Sequence, residues 1–202
     1  MLLPLSFDLK GKSILLIGGG KAALEKFNQL SRTPCSLKIV SLAFSPDFMR
    51  ALGAVHNARI QTETRAFTPE DLEGVFLVFS AVSDKVAAER IFHLCREKNI
   101  LINSADDRER CDFYTNAVIE RGSVQLSVST QGRFAGLSAV LRRHLEDILP
   151  RELDAEWEKI FALRERALAL QDVSEKKSVI TDIVKLVEER YFARKNGEKN
   201  EQ

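Results

Sequence analysis

The stretch Ser13 to Lys26, SILLIGGGKAALEK, leaves little freedom to whatever fold surrounds it. Ile14 to Ile17 form a continuous apolar run. Three glycines follow at Gly18 to Gly20, and Ala22, Ala23, Phe27 and Leu30 then recur at helical spacing. The pattern predicts a buried strand, a glycine turn and an amphipathic helix. Gly18, Gly20 and Ala23 fit the G-x-G-x-x-A form of the dinucleotide fingerprint. The first glycine allows a tight turn, the second lets backbone approach a pyrophosphate, and the small third residue lets helix and strand pack closely. The helix start offers free N–H groups and a positive dipole end to phosphates. The alternative is a glycine turn in a strand–helix unit that binds no ligand.

With 202 residues, 45% of them hydrophobic, the chain suffices for one medium domain with a real core, or a core domain and a smaller one. A formal net charge of +1 gives no global field for nucleic acid or an anionic membrane. No apolar run approaches the roughly 20 residues that span a bilayer. The start, MLLPLSFDLKGK, has no basic segment ahead of an apolar one, so no signal peptide and a cytoplasmic location are expected. Cys35, Cys95 and Cys111 are odd in number and widely spaced, which suits reduced thiols. His56, His93 and His144 are scattered without zinc spacing, so no metal site is expected.

Met1 to Leu9 is expected to pack as an edge segment. Beyond the Thr33–Pro34 breaker, Ser36 to Leu42 predicts a second strand. Ser45 as N-cap and Pro46 at the first helical position open a helix. Ile60 to Phe67 alternates with polar residues, as near a sheet edge. Thr68 to Asp71 opens a one-turn helix, and Val75 to Ala81 is a continuous apolar strand of the sheet's middle. Ser83 is expected to cap a helix from about Asp84 to Lys98, and Ile100 to Asn103 is one more strand. Alternation of strand and helix argues for a doubly wound parallel sheet.

Ligands of such sheets sit beyond the carboxyl ends of the strands. That singles out the loops Gly18–Ala22, Leu42–Ala43, Ala81–Asp84 and Ser104–Asp107, the first two for the dinucleotide. The second strand ends in Ser41, Leu42, Ala43, without the carboxylate that would grip a ribose 2′-OH and without an Arg for a 2′-phosphate. The residues alone therefore leave NAD and NADP open. Ser83 and Asp84 either cap their helix or touch the cofactor. Asp106 and Asp107 are an adjacent carboxylate pair that either moves a substrate proton or caps a turn with Arg108 and Arg110.

Thr115 to Thr130 predicts a hairpin of two strands, TNAVIE and VQLSVST. A lone hairpin is marginal in water and needs another surface, such as a partner subunit. Ala135 to Leu149 predicts a helix stopped by Pro150. From Arg151 onward, Leu153, Trp157, Ile160, Phe161 and Leu168 mark one amphipathic helix. Val179, Ile180, Ile183, Val184, Val187 and Tyr191 mark another, before a tail, KNGEKNEQ, expected to be disordered.

Several stretches together, PLSFDLKGKSILLIGGGKAALEK, FTPEDLEGVFLVFSAVSD, ILINSADDRERCDFYTNAVIERGSVQLSVST and LSAVLRRHLEDILP, carry a resemblance. Over roughly residues 1 to 150 the chain resembles the precorrin-2 dehydrogenase family, the sirohaem-synthase N-terminal type. The resemblance implies oxidation of precorrin-2 to sirohydrochlorin with NAD⁺ as hydride acceptor, and in some members insertion of ferrous iron. It also implies cofactor contacts at Lys21 and Ala22 past the glycines and at Leu42 and Ala43 after the second strand. The family's catalytic aspartate follows an Asn by three residues, which here gives Asn103 and Asp106. A dimerising second domain is implied as well. One segment departs from the family: its S-[ST]-G-G-x-S-P pattern reads Ser129, Thr130, Gln131, Gly132, Arg133, Phe134, Ala135 here. Arg133, Arg142 and Arg143 either pair with substrate carboxylates or belong to a solvated surface.

The expectation is a Rossmann-like α/β protein with an NAD-binding domain over residues 1–113, a small α+β dimerisation and substrate domain over 114–150, and a helical segment over 151–202. Its cofactor contacts are Gly18, Gly19, Gly20, Lys21, Ala22, Leu42, Ala43 and Ser83, and its catalytic residue is Asp106. It is expected to act on precorrin-2 as a cytoplasmic homodimer, with ferrochelation as a further activity. The rival is a dimeric NAD(H)-sensing module without turnover, which the altered segment Gln131 to Ala135 favours.

Overall fold

Short apolar runs form the middle of one parallel sheet, where they are buried on both faces, and a polar-alternating strand closes one edge. In the computed structural model, which describes residues 2–105, 107–148 and 154–189, the chain forms two units, Met1–Thr115 and Asn116–Gln202. The first holds β1 (Ser13–Ile17), α1 (Lys21–Leu30), β2 (Ser36–Ser41), α2 (Pro46–Gly53), β3 (Ile60–Thr64), β4 (Leu77–Ser80), α3 (Lys85–Glu97) and β5 (Leu101–Ser104). Short 3₁₀ turns span Pro69–Leu72 and Arg108–Arg110. The strand order is β3-β2-β1-β4-β5, all parallel. The Rossmann-like reading holds. β3, with its polar alternation, lies at one edge, and β4 lies inside, between β1 and β5.

Odd and even positions of the strands feed two cores. Ile14, Leu16, Leu37, Ile39, Leu77 and Phe79 pack with Ala23, Phe27 and Leu30 of α1 and Phe48 of α2. Leu15, Ile17, Val40, Val78 and Ile102 pack on the other face with Leu72 and with Ile91 and Cys95 of α3. Ser45 caps α2, its hydroxyl accepting from Phe48 N at 3.3 Å, with Pro46 next. The cap of α3 is Asp84 rather than Ser83: its Oδ1 accepts from Ala87 N at 2.6 Å. Lys85 is already helical, so the capping place falls to the carboxylate, which also suits the positive helix end. The N-terminal residues form no strand. Phe7 sets its ring edge-on to Phe76 at 5.8 Å and Leu9 joins the core, while Leu2, Leu3 and Leu5 are exposed.

The polar edge of the sheet is tied down by one carboxylate. The Asp71 side chain, 2% exposed, accepts from both Arg65 guanidinium nitrogens at 2.8 and 2.6 Å and from Thr68 N at 2.9 Å. It also pairs with Lys38 Nζ at 2.9 Å, and Glu63 completes the cluster at 3.0 Å from the same ammonium. The Arg65 hydrogen bonds, despite burial, hold Asp71 far below the ordinary carboxylate pKa.

The second unit contains β6 (Ala117–Arg121) and β7 (Val124–Val128), an antiparallel pair turned through Gly122 at φ +53°. α4 (Ala135–Ile148) packs on this hairpin, and α5 (Asp154–Leu168) packs on α6 (Val173–Val187). Leu137, Val140 and Leu141, at helical spacing on α4, stay exposed. Leu149, Leu153, Tyr191 and the KNGEKNEQ tail lie outside the described residues. Among the described residues no helix is long and apolar enough to cross a membrane.

Removing the Asp71 charge leaves Arg65 and Lys38 without their shared partner. Asp71→Asn should cost about 3 kcal/mol at pH 7, read as a lowered urea midpoint. A depressed carboxylate stabilises above its unfolded pKa and loses that contribution as pH falls toward its folded one. The gap between wild type and variant should therefore be full at pH 7 and shrink steadily below about pH 4. A gap that stays constant down to pH 2 would contradict this account of Asp71.

Candidate functional site

Two missing Cβ atoms bring three strand-end loops together. Gly18 has φ +123°, and a Cβ there would stand 2.4 Å from the Ala81 carbonyl oxygen. A Cβ on Gly19 would stand 2.2 Å from the Ala43 carbonyl oxygen and 2.9 Å from Phe44 Cα. Gly18 N donates to Val40 O at 2.9 Å and Ser45 N donates to Gly19 O at 2.8 Å. The turn after β1 is thus seated on the loops after β2 and β4, at the point where the strand order reverses. Gly19, an unspecified place in the fingerprint, is as strictly required by packing as Gly18.

Gly20 differs. A Cβ there would meet nothing within 4 Å. Gly20 is the N-cap of α1 in extended conformation, with no side-chain cap and no acidic residue in the first turn. Lys21 and Ala22 stand exposed there, while Ala23 is fully buried against the sheet. The opening of α1 therefore presents main-chain donors, a positive dipole end and no competing carboxylate, which fits a diphosphate. At the end of β2, Leu42 is 76% exposed, and Ser41 Oγ donates to Ala43 O at 2.6 Å, fixing the bend. Ser83 is exposed in the loop after β4, two residues beyond Ala81, and does not cap α3. Seven of the eight expected contacts, Gly18 to Ala22 with Leu42 and Ala43, are brought together here by the backbone contacts of the turn.

Asp106 lies outside the described residues. The residues before and after it are pinned. Ala105 N donates to Ser80 O at 2.9 Å. Asp107 caps the 3₁₀ turn through Glu109 N at 2.9 Å and pairs with Arg110 at 3.1 Å, so it takes the turn-capping role. Cys111 holds the far side. Its Sγ lies 3.2 Å from Ser104 N, Ser104 O and Asp107 O, joining the end of β5 to the acidic loop. Burial raises the Cys111 pKa, as it pushes the Cys95 thiol up to about 12, so both stay protonated near neutral pH. Asn103 is buried, its amide donating to Phe113 O at 2.8 Å. Asp112 runs along the free edge of β5, with N donating to Ile102 O at 2.8 Å and Oδ2 accepting from Ile102 N at 3.0 Å. No motif announced Cys111 or Asp112, because their partners come from β5 rather than from their own neighbourhood.

A family model with the description "Putative NAD(P)-binding" matches residues 5–117, more than half of the chain. The chain belongs to that family. The sirohaem-synthase resemblance is borne out too. The Siroheme synthase 1 of Pectobacterium atrosepticum is 33% identical over 165 residues, covering 81% of this chain and 34% of that protein. The Siroheme synthase of Zymomonas mobilis is 29% identical over 177 residues, covering 82% and 37%. This chain spans about a third of the length of those relatives. A solved structure titled SirC, precorrin-2 dehydrogenase, superposes with a TM-score of 0.72 over 91% of this chain and 89% of its own, at 20% identity, a likeness of fold.

The glycines should separate by experiment. Gly19→Ala must push the loop after β2 away and should lower both the melting temperature and NADH affinity. Gly20→Asp keeps the fold, since there is room and Asp is a good N-cap. It should hold or raise the melting temperature while weakening NADH binding at least tenfold, measured by nicotinamide fluorescence. Unchanged affinity in Gly20→Asp would remove the diphosphate from this turn.

Proposed function

We propose that the protein is an NAD-dependent precorrin-2 dehydrogenase, which removes two hydrogens from precorrin-2 to give sirohydrochlorin. The observation that carries the reading is the uncapped, carboxylate-free start of α1 at the strand-order reversal, in a chain whose relatives bear the name sirohaem synthase. Bound NAD⁺ supplies the hydride acceptor. In this reading the N–H groups at Gly20, Lys21 and Ala22 hold the diphosphate, with Gly18 and Gly19 letting the turn sit close. Leu42 and Ala43 flank the adenosine half, which explains grip without an acid at the end of β2. Ser83 borders the nicotinamide half from the loop after β4. Asp106, between pinned neighbours, takes the second hydrogen as a proton. The fold's part is to orient cofactor and substrate and to set the local electrostatics.

The active form in this reading is a cytoplasmic homodimer. The exposed apolar stripe Leu137, Val140 and Leu141 supports it, since such a stripe marks an interaction surface. Arg142 is engaged by Glu146 one turn on, at 2.5 Å, so of Arg133, Arg142 and Arg143 the exposed Arg133 and Arg143 are the better candidates for substrate carboxylates. Ferrochelation is a further activity of the same reading. Among the described residues no cluster of three His, Cys, Asp or Glu gathers as a metal site, so iron would enter as a substrate held in passing.

Anaerobic turnover of precorrin-2 with NAD⁺, followed at the NADH absorbance band, tests the reading. NADH should form in step with sirohydrochlorin, and added ferrous iron should show whether sirohaem follows faster than without protein. Asp106→Ala should cut turnover by about 10²-fold or more and leave NADH affinity unchanged. Absence of NADH formation, in protein that still binds NAD⁺, would favour the sensing module instead.

A further inference from the structure

Resting on the reading above, the structure assigns one more residue. We propose that Lys26 is an anion-binding residue of the substrate pocket, its ammonium held by Thr115 beside the Phe79 ring to receive a carboxylate of the tetrapyrrole. Lys26 lies on α1, partly buried. Its Nζ donates to Thr115 Oγ1 at 2.7 Å and stands 5.8 Å from the centre of the Phe79 ring. Phe79 is the register partner of Asn103 on β5, and Phe113, which accepts from Asn103, meets Phe79 edge-on at 5.3 Å. Lys26 thus sits on the sheet face that carries Asn103, three residues before the proposed catalytic aspartate.

An ammonium in such a place normally has a carboxylate beside it. Among the described residues none pairs with Lys26. Glu25, its neighbour in sequence, is exposed to solvent. Cys111 lies within electrostatic reach, but burial keeps that thiol protonated and therefore without charge. Burial also pulls the lysine below its ordinary pKa, by more than the nearby Glu25 charge raises it. An ammonium has three N–H donors, and Thr115 takes one. Two remain for a ligand, and the fold has already borne the cost of removing much of the water.

The anion is a substrate carboxylate rather than a cofactor phosphate. Lys26 stands six residues beyond Gly20, about 9 Å along the helix from the diphosphate end. Its contacts are Phe79 and Thr115, on the β4–β5 side and away from the loop after β2. A tetrapyrrole with several side-chain carboxylates, laid against this side of the sheet at the end of β5, would bring one of them to the ammonium.

Lys26→Met removes the charge and keeps the length; Lys26→Arg keeps the charge. Binding of sirohydrochlorin and of NADH is titrated by fluorescence for wild type and both variants, with unfolding midpoints alongside. Lys26→Met should weaken sirohydrochlorin binding at least tenfold, leave NADH affinity unchanged, and unfold no earlier than wild type, because an unpaired charge has gone. Lys26→Arg should stay within about threefold of wild type, a guanidinium being a good carboxylate partner. Unchanged sirohydrochlorin affinity in Lys26→Met overturns the proposal, as does an equal loss of NADH affinity or a lowered midpoint, which would mark Lys26 as a structural charge. An Arg variant no better than the Met variant overturns it too. If wild type itself fails to bind sirohydrochlorin, the tetrapyrrole reading has failed and the proposal falls with it.

Discussion

Close contact at Gly19 governs the arrangement of everything above the sheet. A carbonyl oxygen, that of Ala43, occupies the volume where any other residue would place its Cβ, 2.2 Å away. The same backbone passage carries the hydrogen bond from Ser45 N to Gly19 O. Because Ser45 also caps α2, the glycine turn, the end of β2 and the start of α2 are one rigid piece. Gly18 adds the end of β4 through its approach to Ala81. The crevice is therefore shaped by backbone packed on backbone, which does not depend on side-chain rotamers. That rigidity suits a site whose ligand is held mainly by N–H groups and a helix end, since those groups must be aimed before the ligand arrives.

The two halves of the sheet use charge differently. At the β3 edge, Asp71 gathers Arg65 and Lys38, and every charge has a partner within 3 Å. Such an arrangement fixes the exposed side of the sheet and leaves nothing for a ligand. At the β5 edge the polar groups are only partly matched. Asn103 Oδ1 is buried without a hydrogen-bond partner, Cys111 shares a single S–H among two carbonyl oxygens, and Lys26 has a hydroxyl where a carboxylate would be expected. Unmatched polar groups cost stability, and they persist where a site needs them. The contrast supports the proposal that the chemistry lies on the β4–β5 side, with the β3 edge as scaffolding.

Local features of the fold were legible because local physics sets them. The apolar run before the glycines, the helical spacing after them, the Ser45–Pro46 helix start and the polar alternation of β3 each need only a few residues. The capping of α3 was less so. Ser83 and Asp84 are both good caps, and burial of Ala88 and Ile91, which sets where the helix begins, decided for Asp84. Asp71 looked like part of a one-turn helix start, which it is, but its ties to Lys38 and Arg65 span two strands and leave no periodic trace. Cys111, Asp112 and Lys26 were hidden for the same reason, since each is defined by a partner brought close only by the folded sheet. Gly19 stood in plain view, but the fingerprint assigns no role to its middle place.

The segment that departs from the family pattern still forms a closed, hydrogen-bonded turn ahead of α4. Gln131 stands where the pattern has a glycine, and it takes the left-handed conformation at φ +56°, with Gly132 following at +71°. A non-glycine residue there costs roughly 1–2 kcal/mol. The turn is held regardless: Gln131 N donates to Ser129 Oγ at 3.1 Å, and Arg133 N to Thr130 O at 3.0 Å. The Thr130 hydroxyl accepts from Phe134 N at 3.1 Å and from Ser138 Oγ at 3.1 Å, fastening the turn to α4. Ala135 in place of proline begins the helix without difficulty, since proline at that position only pre-sets a backbone angle that alanine adopts freely. The substitutions therefore add an exposed ring at Phe134 and a cation at Arg133 to a turn that is still held by its own hydrogen bonds. A turn that still closes is a lesser change than a lost one, and this supports the proposed enzyme, with an adjusted grip on its substrate, over the proposed binding module.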